Sequence, residues 1–284
     1  MSHLPPSIIS FLSDFAPLFS KTTHKKFLLL LEAHTLSKGT RTVTELLKTL
    51  GLRESKNFSI FHDFFNKNKW NPLLGAKILF QKLISLLLDN NAEIKIAIDT
   101  TVERRNGPKI KSLNIQRDAV RSTKSRKVLV PGLLWLVCTI QIKLPGNSRT
   151  WALPFLSILI PPEKPLSSSK NEKDLIKKNK KHKTLNDWVC QIVKLLRRWT
   201  GKDKKISITA DSAFATYILA NKCIDNNINL TSRMRLDART FHFPVVKKNG
   251  RTNLTGPRMP TFSEMLVDPN INWQKAKVHW YDNK

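Results

Sequence analysis

The chain of 284 residues is 40% apolar and carries a formal charge of +28, from 49 Lys and Arg against 21 Asp and Glu. Its length and apolar content suit one large domain or two ordinary ones with a proper core, and exclude a disordered chain. A basic surplus of this size points to a polyanionic partner, and its clustering in "TTVERRNGPKIK", "KNEKDLIKKNKKHK" and "VKKNGRTNLTGPR" favours a binding surface over a merely solvated one.

Helices are expected through the first ninety residues. "SIISFLSDFAPLF", "KKFLLLLEAHTL", "TVTELLKTLGL" and "LLGAKILFQKLISLLLD" place apolar residues three and four apart. The third, opened by Thr42 or Thr44 and stopped by Gly51, has the size of a helix in a helix-turn-helix unit, although on sequence alone a plain helical bundle is favoured over that unit. The pattern then changes to strands: "EIKIAIDT", "GLLWLVCTIQI" and "SRTWALPFLSILI", the last two separated by the turn chemistry of "KLPGN". Such near-continuous apolar runs imply a sheet covered on both faces.

After "PPEKPLSSS" and the Lys block, read as an exposed loop, comes "TLNDWVCQIVKLLRRWTG". Leu185, Trp188, Val189, Ile192, Leu195, Leu196 and Trp199 form one helical face there, with Thr184 and Asp187 suited to its start and Gly201 to its end. A fourth strand, "KKISITADS", a helix, "FATYILANKCIDNN", and a fifth strand, "INLTSR", follow. Cys138, Cys190 and Cys223 lie far apart, without metal-ligand spacing, as suits a reducing cytoplasm. The start "MSHLPPSIIS" lacks a secretory pattern, and "VLVPGLLWLVCTIQI" is too short to cross a bilayer, so neither a signal nor a membrane span is expected.

The first strand ends on Asp99 and the fourth on Asp211. Taken alone, each acid also suits a turn or a helix cap. The succession of three strands, helix, strand, helix and strand is nevertheless that of an RNase-H-like mixed sheet of order 3-2-1-4-5, in which the first and fourth strands are parallel neighbours. Strands in a sheet lie about 4.8 Å apart, so the two side chains would converge. Paired carboxylates repel, and a hard dication removes the conflict. In phosphodiester displacement such ions activate the attacking oxygen and stabilise the leaving one. A basic protein with that site reads as a nuclease or strand-transferase.

"IAIDTTVERRNGPKI", "QRDAVRST", "WALPFL", "HKTLNDW", "ITADSAFA" and "TSRMRLDARTF", in that order, resemble the DDE-type insertion-sequence transposases of bacteria, in the branch of DDE superfamily endonucleases. The resemblance runs from about residue 10 to the C-terminus. It implies an α/β protein with three parts: a helical DNA-binding region (1–90), an RNase-H-like core (91–233) and the start of a β-rich insertion (234–284). Its catalytic residues and metal ligands would be Asp99 and Asp211, with Mg²⁺ or Mn²⁺ as cofactor. The partners it implies are double-stranded DNA, transposon terminal inverted repeats and target DNA, with a possible homodimer in a synaptic complex, in the bacterial cytoplasm at the nucleoid.

The family's third acid, a Glu beyond the insertion, has no match before Lys284. Glu264 is the sole Glu after Asp211 but lies within the insertion. The expectation is a truncated transposase, with an inactive DNA-binding fragment that represses an intact relative as the alternative. Arg104, Arg105 and Arg117 with Asp118, then His182 and Lys183, and Arg233 and Arg235, are candidate phosphate contacts.

Overall fold

Several helix starts follow side chains able to cap them. A computed structural model describes residues 5–54, 58–118, 120–123, 125–144, 146–163, 182–244 and 255–274. Five helices come first: α1 (Pro6–Ser13), α2 (Lys21–Leu36), α3 (Val43–Thr49), α4 (Ser59–Asn66) and α5 (Pro72–Leu87). Ser20, Thr42 and Asn71 accept backbone N–H groups at the starts of α2, α3 and α5. Gly51, at φ +71°, supplies the left-handed residue beyond the end of α3. Helix α4, which the sequence reading passes over, packs Phe61 and Phe64 against Leu30, Ala33, Leu46 and Leu47 in a small core of its own. Helix α5 instead turns Ala76 and Phe80 into the main core, where Phe80 lies 4.6 Å from Phe155 and 5.8 Å from Trp199, centroid to centroid. An apolar cavity of about 750 Å³, lined by Phe19, Phe64, Trp70, Phe155 and Trp188 among others, separates the two cores.

The main core is built on strands β1 (Ile94–Arg104), β2 (Asn114–Arg117), β3 (Leu129–Lys143), β4 (Thr150–Ile160), β5 (Ile206–Ala210) and β6 (Asn229–Ser232). Their order is β4-β3-β1-β5-β6, with β3 antiparallel to β1 and β4, and β5 parallel to β1 and β6. In order of appearance the five long-range strands thus run 3-2-1-4-5, as the sequence leads one to expect of an RNase-H-like sheet. The additional strand β2 is four residues of mixed polarity, too short for a periodic signal, and shares one edge of β3 with β4: Asn114 and Arg104 both pair with Gly132 from opposite sides.

Coverage differs from the expectation. Ile94, Ile96, Ile98, Leu136, Cys138, Ile140, Ile206 and Ile208 share one buried face, whereas Lys95, Asp99, Thr139 and Gln141 interrupt the other, which is at most half-buried. The apolar runs therefore describe one fully covered face rather than two.

Helix α6 (Leu185–Thr200) covers that face with Val189, Ile192, Val193 and Leu196, all inaccessible to solvent. Thr184 and Asp187 close a reciprocal capping box at its start: Thr184 N–H donates to Asp187 Oδ2 at 2.8 Å, and Asp187 N–H to Thr184 Oγ1 at 3.3 Å. At its far end Arg197 donates to the carbonyls of Asn226 (2.7 Å), Gly201 (2.8 Å) and Lys204 (2.9 Å). One guanidinium thereby ties the helix end to the approach of β5 and to the turn before β6. Helix α7 (Tyr217–Asp225) links β5 to β6, and the short α8 (Phe262–Val267) docks through Ser263 N–H on the carbonyl of Leu236, 3.1 Å away.

Candidate active site

Parallel strands in register deliver equivalent side chains to the same face, and β1 and β5 are in register from Ile94↔Ile206 to Ile98↔Ala210. Asp99 is the next residue on β1. Asp211 follows the last residue of β5, with φ −72° and ψ 177°, so its backbone is still extended. The register therefore sets the two aspartates side by side, about one strand spacing (~4.8 Å) apart, on the face opposite Ile98 and Ala210. Both are exposed.

Each carboxylate is oriented by a local N–H: Thr100 N–H donates to Asp99 Oδ1 at 2.7 Å, and Ala213 N–H to Asp211 Oδ1 at 3.0 Å. Among the described residues the second oxygen of each accepts no hydrogen bond, and neither acid forms an ion pair. Ser232 Oγ, from the aligned end of β6, donates to the Asp211 carbonyl at 2.7 Å and braces that strand end. Two exposed carboxylates at neighbouring strand ends carry oxygen ligands of the kind a hard cation takes.

The remaining candidates separate. Arg104 pairs with Asp118 (2.7 Å), and Arg105 Nε donates to Glu103 Oε1 (2.9 Å), whose other oxygen accepts the Trp135 indole N–H (3.0 Å). The Arg105 hydrogen bond, and then that of Trp135, hold the Glu103 carboxyl below the ordinary range. Arg117 and Arg233 are exposed. Arg235 grips Asp237 through two bonds of 2.8 and 2.7 Å, which raises the guanidinium's pKa and lowers the carboxyl's, while its side chain stays exposed. Lys183 Nζ stands 4.7 Å from the Trp188 ring centre, and His182 is exposed. Asp118 is not a surface partner of Arg117: its side chain is only 4% exposed, and the sequence offered no sign of that burial. Residues 170–181 of the Lys block and 247–254 of the second basic run lie outside the described residues.

Glu264 does not approach the pair as a free ligand. Its Oε2 accepts both the N–H (2.6 Å) and the hydroxyl (2.8 Å) of Thr261, a capping box at the start of α8. The Thr261 N–H, then its hydroxyl, hold the Glu264 carboxyl below its usual range. Among the described residues no group of three or more His, Cys, Asp or Glu side chains is gathered for a metal.

With this geometry in place, comparison with family models finds a match to the DDE superfamily endonuclease over residues 14–283. The chain belongs to that family. A search of curated proteins finds no match. For a DDE superfamily endonuclease, membership implies DNA as the substrate and divalent metal as the usual cofactor. The DDE fold also accounts for the strand order and for the helical region that precedes it. No helix among the described residues is long and apolar enough to cross a membrane.

Proposed function

We propose that this chain is a DNA transposase whose core holds Mg²⁺ or Mn²⁺ between Asp99 and Asp211 and acts on phosphodiester bonds at insertion-sequence ends. The parallel register of β1 and β5, which aligns those two acids, carries the reading. The donor chemistry fits: both side chains offer oxygen, and each accepts a backbone N–H through one oxygen while the other accepts no hydrogen bond among the described residues. Asp99 and Asp211 would hold the metal, and a pair of such ions would supply activation of the attacking oxygen and stabilisation of the leaving one. The chain's own residues do the rest. Thr100 and Ala213 N–H groups set the rotation of the carboxylates, while Arg104, Arg105, Arg117, His182, Lys183, Arg233 and Arg235 hold phosphates of the duplex. Helices of region 1–90 recognise terminal inverted repeats, region 91–233 performs the chemistry on the element and its target, and region 234–284 opens a β-rich insertion. Two copies pair the element ends on nucleoid DNA.

A second reading is favoured by the described residues, among which Glu264 is held in the capping box of α8 and no third acid is gathered with the two aspartates. On that reading the chain binds element ends, represses an intact relative and does not cut. An assay of nicking and strand transfer on duplexes carrying the terminal repeats, with Mg²⁺ or Mn²⁺, separates the two. Cutting that disappears in Asp99→Asn and Asp211→Asn supports the enzyme; binding without cutting supports the repressor. Cutting that survives both substitutions overturns the assignment of the acids.

A further inference from the structure

Beyond Asp99 the sheet narrows. Strand β5 ends opposite Ile98, but β1 continues to Arg104, and β3 pairs with it back to Gly132 and with β2 back to Leu129. From Val137, the partner of Asp99, to Leu129 is eight residues of antiparallel strand, about 27 Å at ~3.4 Å per residue. A ribbon of β1, β2 and β3 thus overhangs the carboxylate pair by the length of roughly eight base pairs. Gly132 permits it: a Cβ there would stand 2.9 Å from the Glu103 carbonyl oxygen and 2.8 Å from Val102 Cγ1.

The turn from β2 to β3 at the tip of this ribbon is built around one buried carboxylate. Asp118 Oδ1 accepts the N–H groups of Val120 (3.0 Å) and Arg121 (3.1 Å), while Oδ2 faces Arg104 (2.7 Å) and Arg121 (3.8 Å). Burial by itself raises the Asp118 pKa, but the Arg121 N–H, the Arg104 charge and the Val120 N–H outweigh it and hold the group ionised. Ser122 and Val128 close the turn through bonds of 3.0 and 3.3 Å. Arg104 and Arg121 remain 47% and 60% exposed while so held, and Val120 stands 89% exposed at the tip. Residues 104–128 contain nine Lys and Arg against the single Asp118, a net +8.

We propose that this hairpin is a preformed DNA-binding arm that enters the major groove about eight base pairs from the bond being cut. Val120 faces base edges, Arg104, Arg117 and Arg121 lie on flanking phosphates, and Asp118 acts as the positioning residue. A two-stranded ribbon matches the width of the major groove, and a small apolar side chain suits contact with thymine methyl groups. A rigid basic tip loses little entropy on binding. The proposal rests on the functional reading for two things, that duplex DNA is the partner and that Asp99 and Asp211 mark the bond being cut; the binding and crosslinking measurements depend on the first alone.

The test measures affinity of the full chain for a linear mixed-sequence duplex across about 50 to 200 mM salt in EDTA, which removes any metal-dependent step from the outcome. Asp118→Asn adds a unit of positive charge, and on a merely electrostatic surface it tightens binding. The arm requires the reverse, weaker binding, because Arg104 and Arg121 lose their anchor. The double variant Arg117→Ala/Arg121→Ala, at exposed positions, keeps the measurement independent of folding at Asp118. Loss of two phosphate contacts lowers the slope of log affinity against log salt by about 1.8, or roughly ten-fold in affinity over this range. An unchanged slope, or tighter binding by Asp118→Asn, overturns the arm. Crosslinking from a photoreactive group attached at Val120→Cys assigns the groove. It fails on a saturated duplex whose cytosines carry glucosylated hydroxymethyl groups, and its persistence there overturns the major-groove placement.

Discussion

Replacing Asp211 by Asn changes stability in opposite directions with and without divalent metal, and the size of each change follows from the strand register. Asn retains an Oδ1 to accept the Ala213 N–H, so the cap is preserved and charge is the main loss. Two unit charges one strand spacing apart, ~4.8 Å, repel by about 0.9 kcal/mol in water. Screening at physiological salt lowers this to about 0.5 kcal/mol. In a chelator, Asp211→Asn is therefore as stable as the parent or up to about 0.9 kcal/mol more stable, a rise in Tm of roughly 1–3 °C for a chain of this size. With Mg²⁺ at ten times its Kd the parent gains about 1.4 kcal/mol, and the variant, lacking one ligand, gains little. Thermal unfolding monitored with chelator, Mg²⁺ and Mn²⁺ reads both signs in one experiment. Equal stabilisation of both proteins by Mg²⁺, or a variant more than about 1 kcal/mol weaker in chelator, would refute the shared site.

Four further outcomes follow from the packing. Phe80→Ala removes a solvent-inaccessible ring lying between Phe155 and Trp199 and costs about 3–5 kcal/mol, read as a lower urea midpoint. Gly132→Ala forces β1 from β3 and costs about 1–3 kcal/mol, with increased amide exchange confined to the overhanging ribbon. Because the folded Asp118 carboxyl sits below its ordinary value, its stabilisation is complete above about pH 4 and fades as pH falls through the folded value; in Asp118→Asn this acid-sensitive part of the urea midpoint disappears. Burial raises all three thiols, Cys138 to about 12 and Cys223 to about 11, but only Cys190 is accessible, so native protein under mildly alkaline conditions labels there alone, and all three label after denaturation.

How far the sequence could be read depended on whether a feature was periodic. Helix α6 was legible because apolar spacing, a Thr184–Asp187 box and Gly201 all favour one structure. The strand order followed from hairpin chemistry at "KLPGN" and from the alternation of helix and strand after it. Strand β2 and helix α4 escaped because each is short and because "NIQR" and "SIFHDFFN" acquire meaning only from partners distant in sequence. Asp118 escaped for a related reason: next to Arg117 it looks like half of a surface pair, and its burial arises from Arg104 and from the turn that closes over it. The coverage of the sheet was overestimated because hydrophobicity alone does not weigh the polar residues, Lys95, Asp99, Thr139 and Gln141, that share the second face.

Those polar residues are the reason that a site can exist there. A sheet buried on both faces would have to desolvate Asp99 and Asp211 together, and two unpaired carboxylates in a dry interior cost several kcal/mol each. Leaving one face open reduces that penalty, while Ile94, Ile96, Ile98, Ile206 and Ile208 on the other hold the strands in register. The surrounding charge of +28 acts in the same sense at long range, since it offsets part of the repulsion between the two acids and attracts a polyanion to the same surface. Both effects are screened by salt, whereas the register is not. High salt should therefore weaken DNA binding strongly while leaving the spacing of the two carboxylates, and with it the sign reversal expected of Asp211→Asn, unchanged.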